Sequence, residues 1–160
     1  MALGANLGNS RDTVIRAMKA LENLSDGPLL KSALWETEPV DCPPGSPKFV
    51  NAMVGLTALK GETPESLLAK LQQLEREFGR KPKAVLNEAR TLDLDLIAFG
   101  SHIRRSNELI LPHPRAHERL FVLQPLSEIA PDLVLAGQAG SVAQLLAQLP
   151  PDQSARKISP

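Results

Sequence analysis

Two stretches with apolar residues at helical spacing, four short aliphatic runs around them, and Gly or Pro at their ends predict an α+β fold. In order, the runs read strand, helix, strand, strand, helix, strand. That is the ferredoxin-like βαββαβ arrangement: a mostly antiparallel sheet with both helices on one face. A C-terminal extension follows. At 160 residues the chain fits one compact domain whose core needs neither disulfide nor structural metal. The domain is expected over 1–149, with a loose tail over 150–160.

Met1 to Ala5 reads as the first strand and Asn6 to Ser10 as a turn with capping candidates. Val14, Ile15, Ala17, Met18, Leu21 and Leu24 recur at helical spacing and give the first helix. Leu29 to Thr37 is the second strand. Glu38 to Lys48 holds Pro39, Pro43, Pro44, Pro47 and Gly45, and is a loop. Phe49 to Leu59 is the third strand. Thr63 followed by Pro64 starts a helix: a capping hydroxyl, then a proline where its missing N–H costs nothing. Leu67, Leu68, Leu71, Leu74 and Phe78 form its buried stripe, and Gly79 stops it. Arg80 to Arg90 is a basic loop, and Thr91 to Phe99 is the fourth strand, closed by Gly100-Ser101. Short strands, a Pro112-His113-Pro114 turn and short helices complete the extension, with Ser141 capping the last helix.

Lysine plus arginine balance aspartate plus glutamate at 18 each, which argues against a general nucleic-acid binder. Cys42 is the single cysteine, so no intrachain disulfide can form, in keeping with a reducing compartment. No apolar run is long enough to cross a bilayer, and Met1 to Asn6 lacks the features of a secretory signal. A cytoplasmic protein that binds neither nucleic acid nor membrane, and is monomeric, is the expectation.

Chemistry concentrates first in Leu92-Asp93-Leu94-Asp95-Leu96. Alternate residues of a strand share a face, so the leucines point to the core and both aspartates to the other side. Two carboxylates this close repel unless something compensates. Mg²⁺, which prefers a few carboxylate oxygens plus substrate phosphates, is a good compensator. A half-buried strand with a solvated outer face explains the same pattern, and from the pattern alone it is the better account. Arg76, Arg80, Lys81, Lys83 and Arg90 precede the aspartates. Acidic metal ligands beside a basic loop suit a nucleoside triphosphate; a solvated charged loop is an equal account of the bases alone.

A third cluster is Pro112-His113-Pro114-Arg115, followed by His117 and Arg119. His113 in a proline-fixed turn could donate to a phosphate, or simply close the turn. Phe49 and Asn51 share a strand face beside the proline-rich loop, where an aromatic and an amide can hold a flat heterocycle. The glycine-rich phosphate loops of Rossmann and P-loop proteins are missing, as are zinc-spaced Cys/His groups and the protein-kinase signatures.

The run Arg90-Thr91-Leu92-Asp93-Leu94-Asp95-Leu96, with Pro112-His113, Arg119 and Phe121 beyond it, resembles the 6-hydroxymethyl-7,8-dihydropterin pyrophosphokinases. The resemblance extends from Gly4-Ala5-Asn6-Leu7 through Phe49-Val50-Asn51-Ala52 to Pro125-Leu126 and Ile129-Ala130-Pro131. It implies Mg-dependent transfer of pyrophosphate from ATP to the pterin alcohol in folate biosynthesis, with AMP released. It implies two Mg²⁺ ions on Asp93 and Asp95, and Arg80 and Arg90 as loop arginines that assist transfer. Gln72, Glu75, Lys83, Arg90, Leu96, His113 and Arg119 match ATP-binding positions. Thr37, Pro39, Val40, Phe49, Asn51 and Phe121 match the pterin pocket, with Phe49 and Phe121 sandwiching the ring. The loops Glu38 to Lys48 and Arg80 to Ala89 would close over both substrates and exclude water. Ala5, Asn87, Ala89 and Pro114 depart from residues common in the family. The alternative is a non-catalytic ferredoxin-like module that binds a nucleotide or metabolite and regulates a partner.

Overall fold

A computed structural model describes residues 1–39, 42–79 and 91–160. The elements follow the expected order. They are β1 (Ala2–Ala5), α1 (Ser10–Leu21), β2 (Leu30–Lys31), β3 (Leu34–Thr37), β4 (Phe49–Gly55), α2 (Pro64–Glu77) and β5 (Asp93–Asp95). The extension adds β6 (Arg104–Arg105), β7 (Ile110–Leu111), α3 (Leu120–Ile129), α4 (Val142–Ala147) and β8 (Ala155–Ile158).

The main sheet runs β5-β1-β4-β3-β8, every pairing antiparallel, with β2 also on β4. The four strands β5-β1-β4-β3 have the ferredoxin-like order. β6 and β7 form a separate ribbon.

Both core helices are started by side chains. Asn9 accepts from the Asp12 N–H to begin α1. Thr63 and Ser66 cap each other's backbone at the start of α2, with Pro64 in the first turn. Ser141 and Gln144 repeat the capping box at α4. Gly79 follows α2 with φ of 89°, the left-handed conformation glycine adopts without strain.

β4 divides the molecule. Val50, Ala52 and Val54 face one core with Leu3, Leu34 and Leu94, under α1 (Val14, Leu21) and α2 (Leu67, Leu71). Met53 faces a second core built by Val122, Leu123 and Leu126 of α3 with Val142 of α4. The two expected helices therefore take one face, and the C-terminal extension covers part of the other.

Three boundaries differ from the sequence reading. The strand expected over Leu29 to Thr37 is split. Lys31 pairs with Val54 but Trp35 with Asn51, so one extra residue lies on the β2–β3 side, a β-bulge. Ser32 accounts for it: its hydroxyl accepts from the Met53 N–H at 2.8 Å, the place of a backbone carbonyl in the ladder. The strand expected over Thr91 to Phe99 pairs only over Asp93–Asp95, opposite Gly4 to Ala2 of β1. The last residues, expected as a loose tail, include β8, paired with β3 from Leu34↔Ile158 to Thr37↔Ala155.

Candidate active site

Above the face of the sheet that carries Gly4 and Asn51 lies a cavity of about 630 Å³. Its acidic side is β5. Leu92, Leu94 and Leu96 are buried while Asp93 and Asp95 are half-buried and line the cavity, the alternation the sequence predicts. α2 steadies this strand: Glu75 accepts from the Leu94 N–H at 2.9 Å, so a backbone donor between the two aspartates is satisfied without β1.

The other side is set by register. Asp93, Gly4, Asn51 and Trp35 lie opposite one another on β5, β1, β4 and β3. With strands spaced at about 4.8 Å, the acidic strand and Asn51 stand about 10 Å apart across β1. Gly4 keeps this floor open. A Cβ there would meet Asn51 Oδ1 at 3.1 Å and Phe49 Cδ1 at 3.8 Å. Asn51 is buried and donates from Nδ2 to the buried Thr37 hydroxyl at 2.6 Å, which orients its amide. Phe49, opposite Thr37, adds an aromatic wall, and Phe121 adds another from the first turn of α3. The Arg119 guanidinium lies 5.3 Å from the centre of the Phe121 ring.

His113 stands beside the acidic strand. Its N–H donates to the Ile97 carbonyl at 2.8 Å, and its Nδ1 accepts from the Arg115 N–H at 3.3 Å. With Nδ1 an acceptor, the neutral ring carries its proton on Nε2, a donor suited to a phosphate oxygen. Burial holds the imidazole below its ordinary value of 6.5; Arg119 pushes the same way, Asp93 opposes, and Arg115 adds to the lowering.

Of the residues the resemblance assigns to the site, Thr37, Phe49, Asn51, Asp93, Asp95, Arg119 and Phe121 line one cavity, joined by Arg115 and His117 of the third cluster. Five others do not line it. Glu75 is engaged with Leu94, Leu96 is core, Gln72 is exposed on α2, His113 flanks the site from its turn, and Pro39 lies in the loop after β3. Val40, Arg80, Lys83 and Arg90 lie outside the described residues.

Sequence reasoning assigned no site role to Gly4, Asn6 or Gln153. A glycine inside a strand marks a close approach, which was the available signal for Gly4. Asn6 is buried and donates to the Pro47 carbonyl at 3.3 Å, tying the end of β1 to the end of the proline-rich loop. No local pattern marks Gln153.

Among the described residues no group of three or more His, Cys, Asp or Glu could hold a metal by itself. Two half-buried carboxylates on one strand face nevertheless suit Mg²⁺, which takes one or two protein carboxylates and completes its shell with phosphate and water. No helix among the described residues is long and apolar enough to cross a membrane.

The model of the 7,8-dihydro-6-hydroxymethylpterin-pyrophosphokinase family matches residues 1–131. The chain is 39% identical over 137 residues to the 2-amino-4-hydroxy-6-hydroxymethyldihydropteridine pyrophosphokinase of Haemophilus influenzae, covering 84% of this chain and 82% of that protein. It is 36% identical over 151 residues to the Pseudomonas aeruginosa protein of the same name, covering 94% and 90%. Against a folate synthesis bifunctional protein of Arabidopsis thaliana it is 38% identical over 130 residues, 81% of this chain but 26% of that longer protein. It likewise spans 18% of a Pneumocystis carinii folic acid synthesis protein. A family match over most of the length, on a chain whose paired aspartates and aromatic–amide wall share one cavity, shows that the chain belongs to the 7,8-dihydro-6-hydroxymethylpterin-pyrophosphokinase family.

Proposed function

We propose that this protein transfers the pyrophosphoryl group of ATP to the hydroxymethyl oxygen of 6-hydroxymethyl-7,8-dihydropterin, giving the pterin diphosphate and AMP in folate biosynthesis. The observation that carries the reading is the cavity itself. Its acidic side (Asp93, Asp95) and its aromatic–amide side (Phe49, Asn51, Thr37, Phe121) face one space across the bare Gly4 floor. A separation of about 10 Å puts a flat ring on one side and a phosphate chain on the other within reach of each other.

The pterin ring lies between Phe49 and Phe121, and Asn51, oriented by Thr37, reads its polar edge. Pro39 and Val40 complete the pocket from the loop after β3. Asp93 and Asp95 are the carboxylates that would hold two Mg²⁺ ions together with the phosphates of ATP. When bound, such ions supply charge neutralisation and in-line alignment of donor and acceptor. His113, through Nε2–H, and Arg119 contact phosphate oxygens. Gln72 and Leu96 are assigned to ATP by resemblance, as are Lys83, Arg80 and Arg90, the two arginines assisting transfer. Glu75 serves ATP through the strand it steadies. The pterin oxygen forms a bond to the β-phosphorus, the bond from that phosphorus to the α-phosphate oxygen breaks, and AMP departs with the electron pair. The hydroxyl proton passes to solvent. Little covalent work falls to the protein, whose residues position the reactants and exclude water. A monomer in the cytoplasm completes the reading; its near-zero net charge supports a protein that does not bind nucleic acid.

The test is product analysis. With Mg²⁺, ATP and the dihydropterin alcohol, nucleotide chromatography is expected to show AMP appearing with the pterin diphosphate. Release of ADP, or no turnover by folded protein, overturns the proposal, and chelation with EDTA is expected to stop the reaction.

A further inference from the structure

The first turn of α3 carries both Arg119 and Phe121 into the cavity, yet its N-cap residue supplies no side-chain cap. A helix leaves its first N–H groups without partners, and a side chain at the N-cap position usually accepts from one. The N-cap residue here is Arg119, which makes no such bond and stacks on Phe121 instead. The Leu120 N–H is satisfied from far along the chain: it donates to Gln153 Oε1 at 2.8 Å. The same side chain donates from Nε2 to the Glu118 carbonyl at 3.0 Å. One amide thus bonds the residues on either side of Arg119. Its orientation is fixed, because a flipped amide would set donor against donor and acceptor against acceptor.

Gln153 can serve this role because its own segment is anchored. Beyond it, Arg156 pairs with Glu36 at 2.9 Å and Lys157 with Glu128 at 3.1 Å, and Arg11 donates to the Ser159 carbonyl at 2.7 Å. β8 is meanwhile paired along β3. Gln153 itself lines the cavity with Arg119 and Phe121.

We propose that Gln153 is a positioning residue for the pterin end of the site, its side-chain amide clasping the Glu118–Leu120 backbone and thereby fixing the aim of Arg119 and Phe121. This rests on the reading of Phe121 and Arg119 as substrate contacts. The clasp makes the C-terminal strap part of the site's construction. A side chain that only stabilised the fold would leave ligand affinity unchanged in the folded protein.

The test uses the full chain and two variants. Gln153→Met keeps the length and apolar volume of the side chain and removes both bonds. Gln153→Glu keeps an acceptor for the Leu120 N–H but cannot donate to Glu118. Titration calorimetry well below the melting temperature reads the Kd of 6-hydroxymethyl-7,8-dihydropterin, with ATP–Mg measured alongside, and AMP release reads KM and kcat. Gln153→Met is expected to weaken pterin binding by about tenfold, the scale of one or two lost net hydrogen bonds. ATP is expected to weaken less, and Gln153→Glu to fall between the wild type and Gln153→Met. A lower melting temperature with unchanged pterin Kd overturns the proposal. If Gln153→Met does not fold, Gln153→Glu decides: an unchanged Kd overturns the clasp, and a Kd raised about threefold supports it. A wild type that does not bind the dihydropterin defeats the underlying reading. A wild type that binds it, with variants that bind equally well, defeats the clasp alone.

Discussion

Asp93 and Asp95 are two like charges on one strand face, backed by three buried leucines. The arrangement suits a hard cation. Asp95→Ala is therefore expected to cut AMP release by more than about a hundredfold while the protein stays folded, as calorimetry would show. Loss of activity together with loss of fold would count against a metal role. Gly4 makes a different demand. Gly4→Ala puts a methyl 3.1 Å from Asn51 Oδ1, and the strand pairs on both sides limit how far either can move. A cost of about 1–3 kcal/mol in urea denaturation, together with weaker pterin binding, is expected. His113 gives a pH signature. Its folded pKa lies below 6.5, so the unfolded chain binds more protons in the window just under that value. Its contribution to stability is thus fully present above 6.5 and is lost as pH falls through the folded pKa. An NMR titration is expected to find a midpoint below 6.5, and stability set by this residue should be flat from pH 7 upward.

The strands show which elements can be read locally. Leu92, Leu94 and Leu96 declare themselves because a period of two is visible in five residues. So do the capped starts of α2 and α4, where Thr63 and Ser141 meet partners three residues away. The split between β2 and β3 is not visible, because it depends on the Ser32 hydroxyl meeting Met53 on another strand. Ser32→Ala leaves the Met53 N–H without that acceptor in a buried place. A loss of about 1–3 kcal/mol is expected by denaturation, with faster amide exchange at Met53. Glu75 was legible as a family position, but its hold on the Leu94 N–H comes only from the docking of α2 beside β5.

For the whole molecule, the ferredoxin-like order was legible because its six elements are each marked by their own residues. The last strand was not. Ala155–Ile158 is short and only half-buried at its ends, with no apolar period, and its pairing is decided by β3 over a hundred residues earlier. The same distance hid Gln153, whose partners lie 33 and 35 residues away. Deleting residues 155–160 spares Gln153 and bares the edge of β3 over Leu34–Thr37. A lower melting temperature and concentration-dependent association are expected in calorimetry and light scattering, since an unpaired edge invites another strand.

The bulge at Ser32 has a consequence for how this chain can change length. Before it, Leu30 lies opposite Gly55 on the cavity face of β4; after it, Trp35 and Thr37 take that face and Leu34 enters the core. The extra residue therefore acts as a phase shift between even and odd positions. Removing one residue at 32–33 would work like a frameshift written in space: nothing downstream changes identity, but if the pairing before the bulge is kept, every side chain of β3 is sent to the opposite face. Thr37 would turn away from Asn51, and Glu36 would turn towards the cavity face. Insertions and deletions here should therefore be tolerated in pairs or not at all, whereas the exposed turn around Gly61 carries no such parity.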